Sequence, residues 1–243
     1  MIIRITLFIF LFGINNSFAQ QTDSLKQIPP EVKKHAYVKG AILPAALVGL
    51  GIYTVRDNGF YSSYDASKDA RREFPNFSTK ADDFVFFIPA LGLYAFDLFS
   101  SQNRHHIGRQ TGLLLSSGAL MGALVYPLKA VTNVTRPNGE NNRAFPSGHT
   151  SSAFVIATVI DKEFRAKSPW ISAGAYAIAS STGVMRVLNN EHWMSDVLAG
   201  AGIGLISVHT VYYIHEHYLK NKRIAVVPTT LFGGQGLTLM ATF

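Results

Sequence analysis

Ala144-Phe145-Pro146-Ser147-Gly148-His149-Thr150 stands between two apolar runs, and the rest of the chain is read outward from it. Pro146 stiffens the approach. Ser147 carries the short hydroxyl side chain that caps a helix, so the run predicts a helix starting here and continuing through residues 151–160. Gly148 lets the backbone come close to a ligand. His149 falls in the first turn, near the positive end of the helix dipole. A capped helix start with one histidine is common by itself; the two blocks that flank this one are not.

Upstream, Lys129 and Arg136 are separated by six residues and followed by Pro137. If the stretch is helical, that spacing puts both cations on one face about two turns apart, with Pro137 marking the helix end. Downstream, Arg186 is followed by His192 and then by Asp196. The last two are four apart, so on a helix they share a face and the carboxylate can orient the imidazole. Three cations, two histidines and one aspartate add up to a site for a tetrahedral oxyanion.

This set of blocks resembles the type 2 phosphatidic acid phosphatase (PAP2) superfamily, which includes bacterial class A acid phosphatases and vanadium haloperoxidases. The family pattern is Lys, six residues, Arg-Pro; then Pro-Ser-Gly-His; then Ser-Arg, five residues, His, three residues, Asp. The chain matches each element except the serine before Arg186, where it has Met185. The likeness runs over about residues 84–215. It implies that His192 is the nucleophile, that Asp196 orients it, and that His149 is the general acid and then the base. It also implies that Lys129, Arg136, Arg186, Ser147 and Gly148 hold the phosphoryl oxygens. With three fixed cations, neither a metal nor another cofactor is expected.

Composition agrees with a buried or membrane-embedded helical protein. Of 243 residues, 48% are hydrophobic and 15% charged. The charged share is well below the roughly 25% usual in soluble domains. Net charge is +7, and there is no cysteine, which excludes a Cys-based zinc site. A basic balance suits an anionic lipid surface and a phosphorylated lipid substrate. Nucleic acid is not an expected partner.

Residues 1–19 read as a secretory signal, with Arg4, an apolar core from Ile5 to Phe12 and Ser17-Phe18-Ala19 before Gln20. Residues 20–83 form a lead-in, a short apolar helix over 41–55 broken by Pro44, Gly49 and Gly51, and a polar connection. A phosphatase core is expected over 84–219. Residues 220–243 alternate apolar and polar side chains around three glycines and read as a strand-like tail. The expected fold is all-α, a bundle of about six apolar helices embedded in a membrane, with that tail attached.

The apolar runs also predict sidedness. Basic loops at 101–110, 161–168 and 220–223 fall on one side, which the positive-inside rule makes cytoplasmic. Every site residue then falls on the other. The resulting expectation is a bacterial inner-membrane phosphatase whose site faces the periplasm and acts on phosphatidic acid, phosphatidylglycerol phosphate, undecaprenyl diphosphate or lipid A. The alternative is a soluble periplasmic acid phosphatase of broad specificity. A binding module or transporter that keeps a phosphate pocket needs no nucleophile with its own carboxylate. Asn189, Asn190, Glu191 and Trp193 are expected to shape the pocket entrance rather than to react.

Overall fold

The computed structural model describes residues 2–7, 34–99, 104–219, 223–231 and 234–242. The chain divides into two units, Lys34–Tyr212 and the two terminal stretches, residues 1–33 with 213–243.

The larger unit holds α1 (Lys34–Tyr53), α2 (Ser63–Glu73), α3 (Asp82–Val85), α4 (Ile88–Phe99), α5 (Ile107–Thr132), α6 (Gly148–Phe164), α7 (Pro169–Leu188) and most of α8 (Met194–Ile214). Six of these are apolar, as the sequence predicts. Among the described residues, two helices are long and apolar enough to cross a membrane, Ile107–Thr132 and the continuous helix Met194–Leu219. Residues 40–53 form a shorter apolar helix.

Helix α6 lies at the centre. Val155, Ala157, Val159, Ile160 and Phe164 are buried against Leu113 of α5, Ala175 and Ala179 of α7, and Val208 and Tyr212 of α8. The approach of α8 to α6 depends on glycine. A Cβ at Gly200 would stand 2.7 Å from the Ser147 carbonyl oxygen, and one at Gly204 would stand 2.6 Å from that of Ser151. These contacts are too close for any side chain, so the two helices meet backbone to backbone. That contact sets the start of α6 beside the start of α8.

Polarity is distributed inversely to a soluble bundle. Leu115, Tyr126 and Val131 on α5, Ile42 and Leu43 on α1, Leu91 on α4 and Trp170 on α7 are exposed. Ser117, Thr158, Thr182 and Ser207 are fully buried. Each buried hydroxyl donates to the carbonyl one turn back, on Leu113, Phe154, Ile178 and Ile203, at 2.6–3.0 Å. Satisfying polar groups within their own helix leaves the outer face apolar, which a bilayer requires.

The helices α5 and α7 end, and α6 and α8 begin, at one end of the bundle. At the opposite end the segment from Arg104 to His106 lies against the end of α6. Arg104 Nη1 donates to the Lys162 carbonyl at 3.4 Å, and the His105 backbone N–H donates to Glu163 at 3.1 Å. The cations of two basic loops are thus gathered at the end away from the motif residues.

In the smaller unit, β2 (Arg223–Leu231) and β3 (Gly234–Thr242) form an antiparallel hairpin. This agrees with the alternation in the tail. The segment β1 (Ile2–Leu7), expected as part of a secretory signal, pairs antiparallel with β3 from Ile2 opposite Thr242 to Leu7 opposite Leu237. Its β-branched residues suit a strand as well as a signal core. The remainder of the expected signal, residues 8–19, lies outside the described residues, as do Lys220 and Lys222.

Candidate active site

The Ser-Gly-His block folds as its sequence predicts. Ser147 is the N-cap of α6; its Oγ accepts the Thr150 backbone N–H at 3.4 Å and the Thr150 hydroxyl at 3.0 Å. Gly148 is the first helical residue, so its amide is one of the unpaired donors of the first turn. The Ser147 backbone N–H donates to the Asp196 carbonyl at 2.9 Å, which ties this turn to the start of α8.

Lys129 stands in the last turn of α5 and its ammonium donates to the carbonyls of Arg143 and Ala144 at 2.6 and 3.3 Å. Arg136 departs from expectation. Helix α5 stops at Thr132, where Asn133 takes a left-handed conformation at φ +49°, ψ +39°. Asn adopts that conformation readily and closes a helix. The next residues, Val134 and Thr135, are β-branched, and Arg136 precedes a proline that disfavours helix. Arg136 therefore reaches the site from a loop, its backbone N–H donating to the Asn141 carbonyl at 2.9 Å.

His192 sits in the turn between α7 and α8, only 2% exposed, and its Nδ1 lies 3.2 Å from Asp196 Oδ2. The same oxygen accepts the Trp193 backbone N–H at 2.9 Å. Asp196 Oδ1 is buried without a partner. Burial holds the His192 imidazole well below its ordinary pKa, and the charges of Lys129, Arg186, Arg136 and His149 push the same way. A neutral ring has a lone pair on one nitrogen for attack. His149 is lowered too, first by burial and then by Arg186, while Asp83 and Asp82 act to raise it.

The structure brings all eight sequence-predicted residues to this end of the bundle, adds Asp82 and Asp83, which the sequence did not single out, and places beside them Asn189 and Glu191, expected at the pocket entrance. Asp82, buried, accepts from Arg186 Nη1 at 2.7 Å. Asp83 Oδ1 lies 3.3 Å from His149 Nε2 and 3.6 Å from Arg186. Asn189 donates to Asp82 at 2.9 Å and to the Thr79 carbonyl at 2.8 Å, and accepts from the Thr79 N–H at 3.0 Å. Glu191 Oε2 accepts from Arg186 Nη2 at 3.3 Å and also from Arg136 Nη1. Arg186 and Asp82 are 104 residues apart, so no spacing rule connects them. The only hint in the sequence was a pair of acids just ahead of an apolar run. Trp193, expected at the entrance, donates its ring N–H to the Thr135 carbonyl at 2.8 Å and packs at 5.1 Å from Tyr64.

A cavity of about 330 Å³ opens beside the cradle, lined by Tyr126, Lys129, Arg136, Asn141 and Arg143. Among the described residues, no three His, Cys, Asp or Glu side chains are grouped as a metal ion would need.

Residues 137–220 match the family model of the PAP2 superfamily. The chain is 32% identical over 213 residues to the lipid A 1-phosphatase of Porphyromonas gingivalis, an alignment covering 83% of this chain and 46% of that protein. The chain thus spans about half the length of the curated relative it matches. Two solved structures are similar. LpxE of Aquifex aeolicus is 26% identical, with 60% of this chain and 93% of that one aligned at a TM-score of 0.45. The first transmembrane PAP2-type phosphatidylglycerolphosphate phosphatase of Bacillus subtilis is 20% identical, with 75% and 96% aligned at 0.49. The family match begins at Pro137, so Lys129 and Arg136 lie just outside it.

Proposed function

We propose that this chain, whose residues 137–220 match the family model of the PAP2 superfamily, is a metal-independent phosphatase that removes phosphate from a lipid headgroup. The observation that carries this reading is a buried His192–Asp196 pair in a turn where three cations and a second histidine also converge.

In this reading Lys129, Arg136 and Arg186 bind the phosphoryl oxygens, assisted by the Gly148 amide and the Ser147 hydroxyl. His192 Nε2 attacks phosphorus, the P–O bond to the lipid breaks, and the leaving alkoxide takes a proton from His149. Asp196 stabilises the charge that develops on the His192 ring. His149, now neutral, takes a proton from water, which attacks the phosphohistidine and releases inorganic phosphate. The proton balance closes over the two steps.

Among lipid classes, the similarity to a lipid A 1-phosphatase favours lipid A as substrate over phosphatidic acid, phosphatidylglycerol phosphate and undecaprenyl diphosphate. The exposed apolar residues Tyr126 and Val131 flank Lys129, so acyl chains could stay in the bilayer while the headgroup enters the site. We place the chain in the inner membrane with the site facing the periplasm. Phosphate release by purified protein from a panel of these four lipids tests the reading. Activity should persist in EDTA and be inhibited by vanadate. Loss in EDTA that zinc or magnesium restores would refute the site.

Sidedness is tested with single cysteines, as the chain has none. An Asn142→Cys variant should react with an impermeant maleimide in intact spheroplasts, and Ala166→Cys only after lysis. The reverse pattern would overturn the orientation. Labelling of both in intact cells would favour a periplasmic protein that does not span.

A further inference from the structure

We infer that Glu191 is a positioning residue of the oxyanion cradle, fixing Arg136 by holding its guanidinium against that of Arg186. The inference rests on the phosphatase reading above. Two arginines bracket the bound oxyanion in that reading, and the structure anchors them very differently. Arg186 projects from the last turn of α7, is buried, and has its own carboxylate in Asp82 at 2.7 Å. Arg136 projects from a loop beyond a left-handed residue. Among the described residues its carboxylate partners are Glu191 and, at 3.6 Å, the largely exposed Glu140. An exposed pair of that kind holds a side chain weakly.

One oxygen of Glu191 joins the two. Oε2 takes Arg136 Nη1 and Arg186 Nη2 together. Neighbouring guanidinium groups repel, and a carboxylate shared between them offsets that repulsion and sets their spacing. The backbone places Glu191 for the task. The Asn138 N–H donates to the Asn190 carbonyl at 3.1 Å, and the Trp193 ring N–H reaches the Thr135 carbonyl at 2.8 Å. Glu191 thus sits in a turn pinned to the arginine loop on both sides. The buried Nε of Arg136 and the buried Nε of Arg186 have no partner, so Glu191 does not exhaust either guanidinium.

The opposite role for the same contact is competition, in which Glu191 occupies the arginines at the expense of phosphate. The two roles differ in sign. Vanadate binding to the full-length protein in detergent, measured by isothermal titration, separates them. Positioning predicts that Glu191→Gln weakens vanadate binding about tenfold with an unchanged melting temperature. Arg136→Ala should weaken it further, and adding Glu191→Gln to Arg136→Ala should then cost nothing more, because a residue acting through Arg136 has no effect without it. Should Glu191→Gln not fold, Glu191→Asp, which keeps the charge and shortens the reach, carries the same cycle. Tighter binding by the single variant, or additive losses in the double, would overturn the inference while leaving the phosphatase reading intact. Failure of the unsubstituted protein to bind vanadate would instead bring down the oxyanion cradle and this inference with it.

Discussion

The two ends of the bundle each bury charge, and they treat it in opposite ways. At the end away from the motifs, the carboxylate of Glu163 is enclosed by His105 Nδ1 at 2.8 Å, the His105 N–H at 3.1 Å and the Tyr212 hydroxyl at 2.6 Å. Both oxygens are occupied, and the cluster joins the segment before α5 to α6 and α8. At the site end, Arg136, Arg186 and Asp196 each retain a buried polar atom without a partner. Unpaired buried groups cost stability, and three of them stand here on residues of the proposed anion site. The far end is a staple; the near end has the open donors that the proposed phosphatase reading needs for an anion.

That contrast predicts where function and stability separate. The largest effect belongs to His192→Ala. Without the proposed nucleophile, turnover should fall by at least about a thousandfold, while the protein still folds and binds vanadate, with a lower melting temperature because Asp196 loses a buried partner. The readout is phosphate release alongside thermal unfolding in detergent. Residual activity within about tenfold of the parent would mean that another group attacks phosphorus.

How much of the near end could be read from sequence follows from the range of its contacts. Lys129, Ser147, Gly148, His149, Arg186, His192 and Asp196 sit in short blocks whose internal spacing is local, and local spacing survives folding. The helix cap at Ser147 is of this kind, as is the Nδ1 partner of His192 four residues on. Arg136 was expected on a helix and is not, because Asn133 turns left-handed and ends α5 first. Asp82 and Asp83 were hidden in a connection of nearly balanced charge. Their partners lie 104 residues away for Arg186 and 66 for His149, and only tertiary packing brings them together. In the smaller unit the alternation of 220–243 announced strands, whereas the pairing of β3 with Ile2–Leu7 joins the two termini and leaves no trace in either segment alone.

A smaller effect of opposite kind is expected at the far end. Glu163→Gln keeps the shape but presents an amide N–H₂ to groups that now donate to a carboxylate. Loss of that fit should cost about 1–3 kcal/mol of stability. Because the site is distant and shares no partners with Glu163, activity per folded molecule should remain within about threefold. Denaturation midpoints measured beside specific activity check both halves. A variant with unchanged stability and impaired turnover would break the division between the two ends.

The finest test concerns protonation of His149 and uses a residue outside the motifs. In the proposed role of general acid, His149 must carry a proton when the leaving oxygen departs, so kcat/KM should decline as pH rises past its pKa in the free enzyme. Burial, Arg186 and Arg136 hold that pKa below the ordinary 6.5, and Asp83 and Asp82 oppose them. The descending limb should therefore lie on the acid side of 6.5. Asp83 is the nearer carboxylate, 3.3 Å from Nε2, and it is about half exposed, so solvent weakens its pull. Asp83→Asn keeps the side-chain shape and removes a charge that favours the imidazolium. The pKa then falls further, and the limb should move to lower pH by about half a unit to one unit. His192 is also held neutral, so its protonation limits only the acid side of the profile and does not move with Asp83. Buffers spanning pH 4.5–8 at fixed ionic strength resolve the shift. An alkaline limb that does not move would show that Asp83 does not act on the proton of His149, and would return it to the scaffold alongside Asp82.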